Sequence, residues 1–200
     1  AQVSARDLAP FSRIAGLPLA GSVDATATGN LLPSLARLDV AVDARAANLS
    51  LGNPTLALLL AGQGTATGRI ARDEAGLRAE DLVVRFPNIS VDADGTSQGG
   101  TTATRFDARL ADVGLLTDAL SGPITANGTA TLANGATRLD ADVTGPGGMA
   151  ARVAGSLGQT VDLTATGTAP LALADGFVAP RSLDGTAAFD LRLAGGLSPE

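Results

Sequence analysis

The sequence predicts an all-β protein: an antiparallel sheet with one apolar and one polar face, interrupted by short helical segments. Three observations predict this fold class. Apolar and polar residues alternate in many short stretches, glycine is frequent (25 of 200 residues), and bulky aromatic side chains are scarce. Phe occurs five times, Tyr and Trp do not occur, and about a fifth of the residues are Ala. Clean alternation is typical of antiparallel sheets with one solvated face, because strands buried on both faces give continuous apolar runs.

The first clear strand is predicted at 38–45, where Leu38, Val40 and Val42 alternate with Asp39 and Asp43. The same alternation recurs along the chain. The predicted apolar rows are Leu38, Val40 and Val42; Leu56, Leu58 and Leu60; Leu82, Val84 and Phe86; Ile89 and Val91; Phe106 and Leu110; Leu139 and Val143; Val161 and Leu163; and Phe189, Leu191 and Leu193. A second sheet, the same sheet curling over, or a ligand must cover these rows.

Pro87 separates two of these rows, and the alternation resumes after it in the opposite parity. Because proline lacks the amide that a central strand needs, this position predicts a bulge or an edge where the register slips by one residue.

Three stretches with the same organisation predict short helical segments within the sheet. The repeat units begin near residues 7, 112 and 171, at unequal intervals, and each ends in a glycine that opens a strand: Gly21, Gly128 and Gly185. Asp7 and Asp112 are predicted N-caps, since an Asp side chain accepts the free amides of a first helical turn. Gly16 and Gly122 are predicted to end the helical turns. Ordinary loops are the alternative, because each stretch is short.

The residue types that are missing exclude several kinds of chemistry. The sequence has no His and no Cys, which excludes His/Cys metal sites, Ser–His or Cys–His nucleophile pairs and disulfides. The net charge is −6, and all fourteen basic residues are scattered arginines. A nucleic-acid site is therefore not expected. We predict that the protein is not an enzyme and has no cofactor.

Two short motifs resemble ligand sites but lack essential parts. Gly62, Gly64 and Gly68 lie in GQGTATG, which would need a following helix to hold a dinucleotide. The next residues, RIARDEAG, are too few and too polar for one, so a glycine-rich hairpin is predicted. Asp92 and Asp94 lack the later ligands of a calcium loop, and the end of a solvated strand is predicted instead.

No stretch approaches the roughly 18 apolar residues of a membrane-spanning helix. The sequence begins at Ala1, without the basic and apolar regions of an export signal. We expect a single repetitive segment over 1–200 that is a piece of a longer chain, with any export signal or anchor outside it.

Three segments carry a resemblance to a known family: DLAPFSRIAGLPLAGSVDATATG, DVGLLTDALSGPITANGTATLANG and AGLRAEDLVVRF. In repeat layout and composition they resemble the TamB family, the inner-membrane-anchored subunits of the bacterial translocation and assembly module. This family is related to the AsmA-like and bridge-like lipid-transfer proteins. The resemblance covers essentially the whole sequence and matches the family's central periplasmic repeat region.

This resemblance implies a long curved antiparallel sheet, a β-groove or β-taco, that shields phospholipid acyl chains between the inner and outer membranes. The predicted apolar rows would then form the floor of the groove. It also implies a link to outer-membrane protein assembly, an outer-membrane barrel partner similar to TamA, and an inner-membrane anchor outside this segment.

Other architectures and roles stay open at this stage. The apolar rows could meet one another as the core of a closed sandwich. The chain could also be a passive β-solenoid or adhesin-like spacer that positions other domains. An outer-membrane barrel would share the alternation, but such barrels carry aromatic girdles, and this sequence has no Tyr or Trp.

Overall fold

A computed structural model describes residues 2–31, 37–117, 120–175 and 182–196. The fold class is all-β, with twelve antiparallel strands and a few short helical elements, as predicted. The chain divides into two compact units, Ala1–Gly99 (unit 1) and Gly100–Glu200 (unit 2). The prediction of one repetitive segment concerns the chain as a whole and stays a prediction.

Unit 1 is a meander in which each strand pairs with the next one in sequence. Its strands are β1 Gln2–Ala5, β2 Ala20–Leu31, β3 Leu38–Ser50, β4 Gln63–Asp73, β5 Gly76–Arg85 and β6 Ile89–Gln98. All five pairings are antiparallel. The order runs from β1 to β6 without returning, so the sheet of this unit is not closed.

Unit 2 repeats this arrangement. Its strands are β7 Thr101–Leu110, β8 Ile124–Ala133, β9 Ala136–Thr144, β10 Ala150–Leu157, β11 Thr160–Pro170 and β12 Thr186–Gly196. Successive strands again pair antiparallel along almost their whole length.

Pro87 lies in a turn and not in a bulge, so that prediction was wrong. Strand β5 ends at Arg85 and β6 begins at Ile89, and the amide of Phe86 donates to the carbonyl of Ile89 (2.8 Å). The apolar positions change from even to odd residue numbers because β5 ends and β6 begins there. The bulge of β5 lies instead between Ala79 and Leu82. At this bulge the Asp81 amide donates to Asp94 Oδ1 (2.9 Å).

The row Leu56, Leu58 and Leu60 was wrongly predicted as a strand. Residues Pro54–Leu59 form helix α2, and Leu60 is its C-terminal cap. The side chain of Asn53 caps this helix, accepting from the amides of Thr55 (2.9 Å) and Leu56 (3.2 Å). Pro54 at the first position, followed by leucines and an alanine with high helix propensity, explains why helix wins over strand.

The three predicted helical segments are present. A 3-10 turn at Ala9–Phe11 leads into helix α1, Ser12–Ala15, and further 3-10 turns lie at Val113–Leu115 and Leu171–Ala174. Gly16 ends α1 in a left-handed conformation, as predicted. Asp112 is the predicted N-cap. Asp7 lies one residue before the cap position, although its carboxylate still accepts from the Ala9 amide (2.9 Å).

Two predictions about glycines in these repeats were wrong. Gly128 lies inside β8 and does not open it. Gly122 does not end the 3-10 turn, whose C-cap is Leu116; it precedes β8 and closes the loop. The error arose because the sequence alone does not show which glycine carbonyl accepts the loop's closing hydrogen bond.

Four loops are each closed by one hydrogen bond. It runs from the amide of a residue before or at the start of the loop to the carbonyl of a glycine within two residues of the start of the next strand. The pairs are Leu8 to Gly21 (2.9 Å), Asn48 to Gly62 (2.8 Å), Val113 to Gly122 (2.8 Å) and Leu171 to Gly185 (3.0 Å). All four glycines have positive φ. The second loop, which contains α2, is a repeat member that the sequence analysis missed.

Asp112 makes the third of these loops sensitive to acid. Its Oδ1 accepts from the amides of Gly122 and Gly114, both at 2.8 Å, and these bonds lower the pKa of the carboxyl below its ordinary value of 3.8. The pKa of Asp112 is lower in the folded than in the unfolded chain. The ionised carboxylate therefore stabilises the fold above pH 3.8, and this stabilisation is lost as the pH falls below that value.

We therefore expect Asp112→Asn to lower the urea midpoint at neutral pH and to lessen its further decline in acid. The measurement compares urea unfolding near pH 7 with unfolding near pH 3, about one unit below the ordinary carboxyl pKa. Asp107→Asn, on the polar face of β7, is the control. An unchanged acid response in Asp112→Asn would contradict the assigned role.

Candidate functional site

The candidate site of unit 1 is one face of its sheet. Residues directly opposite each other on antiparallel strands point to the same face, so the register assigns every side chain. One cross-strand row from β2 to β6 consists of Ala25, Ala44, Ala66, Val84 and Val91. A parallel row consists of Gly29, Val40, Ile70, Ala79 and Gly95. We call this the apolar face of unit 1.

The apolar face of unit 2 is built in the same way. One row from β7 to β12 consists of Phe106, Gly128, Ala141, Val153, Ala165 and Leu191. The next row toward the β7–β8 loop consists of Ala108, Ala126, Val143, Ala151, Gly167 and Phe189. Apolar residues thus follow one another across six strands without a charged residue among them.

Seventeen of the twenty predicted groove residues lie on these two faces, eight in unit 1 and nine in unit 2, and the register places fifteen of them. In unit 1 the register places Leu38, Val40, Val42, Leu82, Val84 and Val91. Phe86 lies on the same face because its ring fills the space beside Gly64, and Ile89 because it is two residues before Val91 in β6. In unit 2 the register places Phe106, Leu110, Leu139, Val143, Val161, Leu163, Phe189, Leu191 and Leu193. The other three, Leu56, Leu58 and Leu60, belong to α2 and its cap. That the seventeen contact lipid stays a prediction.

Several members of the two faces were missed. Val23, Ile70, Ile124 and Val153 lie on them, as do many alanines. The alternation in SVDATATG, where Val23 and two alanines alternate with Asp and Thr, was the available signal. Small residues were overlooked because bulky side chains dominate any estimate of apolar character.

Glycines on these faces lie beside phenylalanine rings. A Cβ on Gly64 would overlap the ring of Phe86. Phe106 lies directly opposite Gly128, and Phe189 directly opposite Gly167. A phenylalanine ring can cover the backbone of a cross-strand glycine, which leaves a smooth apolar surface.

Most of GQGTATG lies in a strand, so its prediction as a hairpin was wrong. Residues Gln63–Asp73 form strand β4, with Gly64 and Gly68 inside it. A Cβ on Gly68 would lie 2.5 Å from Leu82 Cδ2. These glycines therefore make room for Phe86, just after β5, and for Leu82 in β5.

The apolar faces are not covered by a packed layer within the described residues. There, the buried apolar side chains are Val113 and Ala141, with 6% and 5% exposure, and the ring of Pro146. Leu191 and Leu193 are 61% and 64% exposed. The core of a closed sandwich would bury such rows between two sheets, and no such core is formed by the part of the chain that the structure describes.

The opposite, polar faces carry arginine–aspartate pairs. Arg85 donates to Asp92 (2.6 Å), Arg152 to Asp140 (2.7 Å) and Arg192 to Asp162 (2.9 Å). The hydrogen bond from Arg192 lowers the pKa of the Asp162 carboxyl. Exposed pairs of this kind contribute little to stability. They mark the faces that point to water.

The carboxylates of the calcium-like motif, Asp92 and Asp94, lie inside β6 and not at a strand end, so that prediction was wrong. Asp92 pairs with Arg85, and Asp94 accepts the amide of Asp81. In the described ranges, no three His, Cys, Asp or Glu side chains come close enough together to bind a metal ion. None of the helices in these ranges has the length and apolar character needed to cross a lipid bilayer.

The candidate site is therefore an extended apolar surface in each unit. Comparison of the chain with protein-family models, with curated proteins and with solved structures yields no match.

Proposed function

We propose that the apolar faces bind the acyl chains of phospholipids and shield them from water, so that lipids cross an aqueous compartment without catalysis. One observation carries this proposal: a partly exposed apolar surface whose rows cross five strands in unit 1 and six strands in unit 2. An ordinary sheet would bury such a face against another layer. Here an elongated apolar ligand can take the place of that layer.

The energy at stake favours such a surface. Exposing an acyl chain to water costs about 0.8 kcal/mol per CH₂, or on the order of 10 kcal/mol for one chain. At about 1.4 kcal/mol for each factor of ten, this is a barrier of roughly 10⁷. An apolar surface that takes up the chain removes most of this cost.

The resemblance to the TamB family extends the proposal to the cell envelope. Under it, the chain is a central periplasmic part of a longer protein that is anchored in the inner membrane. Lipids would pass along it between the inner and outer membranes. An outer-membrane barrel subunit similar to TamA would be its partner, and outer-membrane protein assembly a linked activity.

Photo-crosslinking tests the proposal against a passive spacer. Crosslinkers at Val84 and Leu163, on the two apolar faces, are expected to capture lipid when the purified chain is incubated with phospholipid vesicles. Arg85 and Asp162 lie on the polar faces but hold ion pairs. Val83 and Thr164, also on the polar faces, are therefore better controls.

Capture at Val84 and Leu163 well above the two control positions is the expected result. A passive spacer would give equal and weak capture at all four positions, and that result would reject the proposed function.

A further inference from the structure

One charged residue interrupts the apolar faces. Among the residues that the strand register pairs in the two units, Arg72 is the only charged residue on an apolar face. It lies directly opposite Leu38 on β3 and Leu77 on β5. Two leucines thus flank its aliphatic stem, which leaves the guanidinium to reach toward water.

The guanidinium of Arg72 has no counterion among the described residues. Arg72 borders a cleft of about 550 Å³ whose other lining residues lie mostly on the polar face: Asn30, Asp39, Ala71, Asp73 and Arg78. The other charged residues of this cleft are already paired: Arg37 with Glu74 (3.2 Å), Asp39 with Arg69, and Asp73 with Arg78 (2.8 Å). Arg72 takes part in none of these ion pairs.

Arg72 also lies at one end of the apolar face. It is followed by the turn from β4 to β5, whereas Gly64, beside Phe86, lies eight residues away near the other end of β4. At about 3.3 Å per residue, these eight residues span about 26 Å. The apolar part of one lipid leaflet is about 15 Å thick, half of the roughly 30 Å hydrocarbon core. An acyl chain that starts at Arg72 therefore fits along the strands.

We propose that Arg72 binds the anionic headgroup of an amphiphile whose acyl chain lies along the strands on the apolar face of unit 1. A guanidinium presents a planar fork of donors that matches a carboxylate or a phosphate. This inference rests on the proposed function and adds to it the chemistry and orientation of the cargo. The headgroup lies at the β4–β5 turn, and the chain points toward Phe86.

The test uses three probes with the same twelve-carbon chain: dodecyl phosphate, dodecanoate and dodecanol, each below its micelle concentration. Their affinities are measured for the unmodified chain, for Arg72→Gln, and for Arg45→Gln on the polar face. Arg72→Gln is expected to weaken both anionic probes by about fivefold, in the range of one partly exposed charge-assisted hydrogen bond. Dodecanol binding is expected to change by less than twofold, and Arg45→Gln to leave all three unchanged.

The outcomes separate this inference from the proposed function. Equal weakening of the anionic probes and of dodecanol, or no weakening at all, overturns the role of Arg72 and leaves the apolar surface as proposed. Failure of all three probes to bind the unmodified chain overturns the proposed function, and the role of Arg72 with it. A larger effect on dodecyl phosphate than on dodecanoate assigns phosphate-bearing lipids as the cargo, and equal effects assign anionic lipids in general.

Discussion

Val84→Asp is expected to weaken acyl-chain binding to the chain by about 30- to 100-fold, which corresponds to about 2–3 kcal/mol. Val84 lies on the apolar face of unit 1, directly opposite Ala66 and Val91. A carboxylate there finds no cation in its row, because Arg85 points to the other face. A bound acyl chain would cover the charge and remove its water, and this desolvation accounts for the lost affinity.

The measurement is a titration of the purified chain with a fluorescent fatty alcohol, which carries no headgroup charge. Thr65→Asp is the matched control, since it adds the same charge one residue from Ala66 but on the polar face. Thr65 lies opposite Arg45 and Arg85, so the new carboxylate gains favourable neighbours. If both variants bound as the unmodified chain does, acyl chains would not occupy this face.

Gly155→Ala is expected to destabilise the chain by about 2–3 kcal/mol, a typical cost of overpacking combined with backbone strain. Gly155 lies in β10 with φ +147. A Cβ at this position would overlap the carbonyl oxygen of Asp162 and lie 2.8 Å from Cα of Leu163. Both obstacles belong to the backbone of β11, so no side-chain rotation can relieve them.

A shift of the urea unfolding midpoint measures this effect. Gly195→Ala is the control, because Gly195 lies on the same face in β12 but its Cβ would meet nothing within 4 Å. The free energy of unfolding of Gly195→Ala is expected to stay within about 0.5 kcal/mol of that of the unmodified chain. An unchanged midpoint in Gly155→Ala would mean that β10 and β11 separate more easily than their register suggests.

The strand faces could be predicted from the sequence because a period of two is a local property. Alternation with the immediate neighbours is enough to assign the face of Phe106 and Leu110 in β7, and of Val161 and Leu163 in β11. The order of the strands follows the chain, so no long-range pairing had to be guessed.

Other features depend on information that alternation does not carry. Leu56, Leu58 and Leu60 alternate as strand residues do, but capping by Asn53 and the fixed φ of Pro54 make a helix there. The strand position of Gly64 depends on a phenylalanine 22 residues later, whose ring needs the space. In both cases a specific side chain, and not the local sequence pattern, determines the secondary structure.

The place of Arg72 was also beyond the sequence analysis. Its position on the apolar face follows from its register with Leu38 and Leu77. Its lack of a counterion depends on three ion pairs formed by its neighbours. An arginine at the end of a strand otherwise looks like any solvated charge.

The pairing of each strand with its neighbour in sequence also determines how the chain folds. Each strand pairs only with its neighbours in sequence, which limits the length of chain that each pairing must close and therefore its entropic cost. Stability then accumulates from one strand pair to the next, as in repeat proteins. A hairpin such as β8–β9, joined by the tight turn at Asn134 and Gly135, can form before the strands that follow it are available. Such a chain can form its sheet strand by strand while the rest of it is still being synthesised.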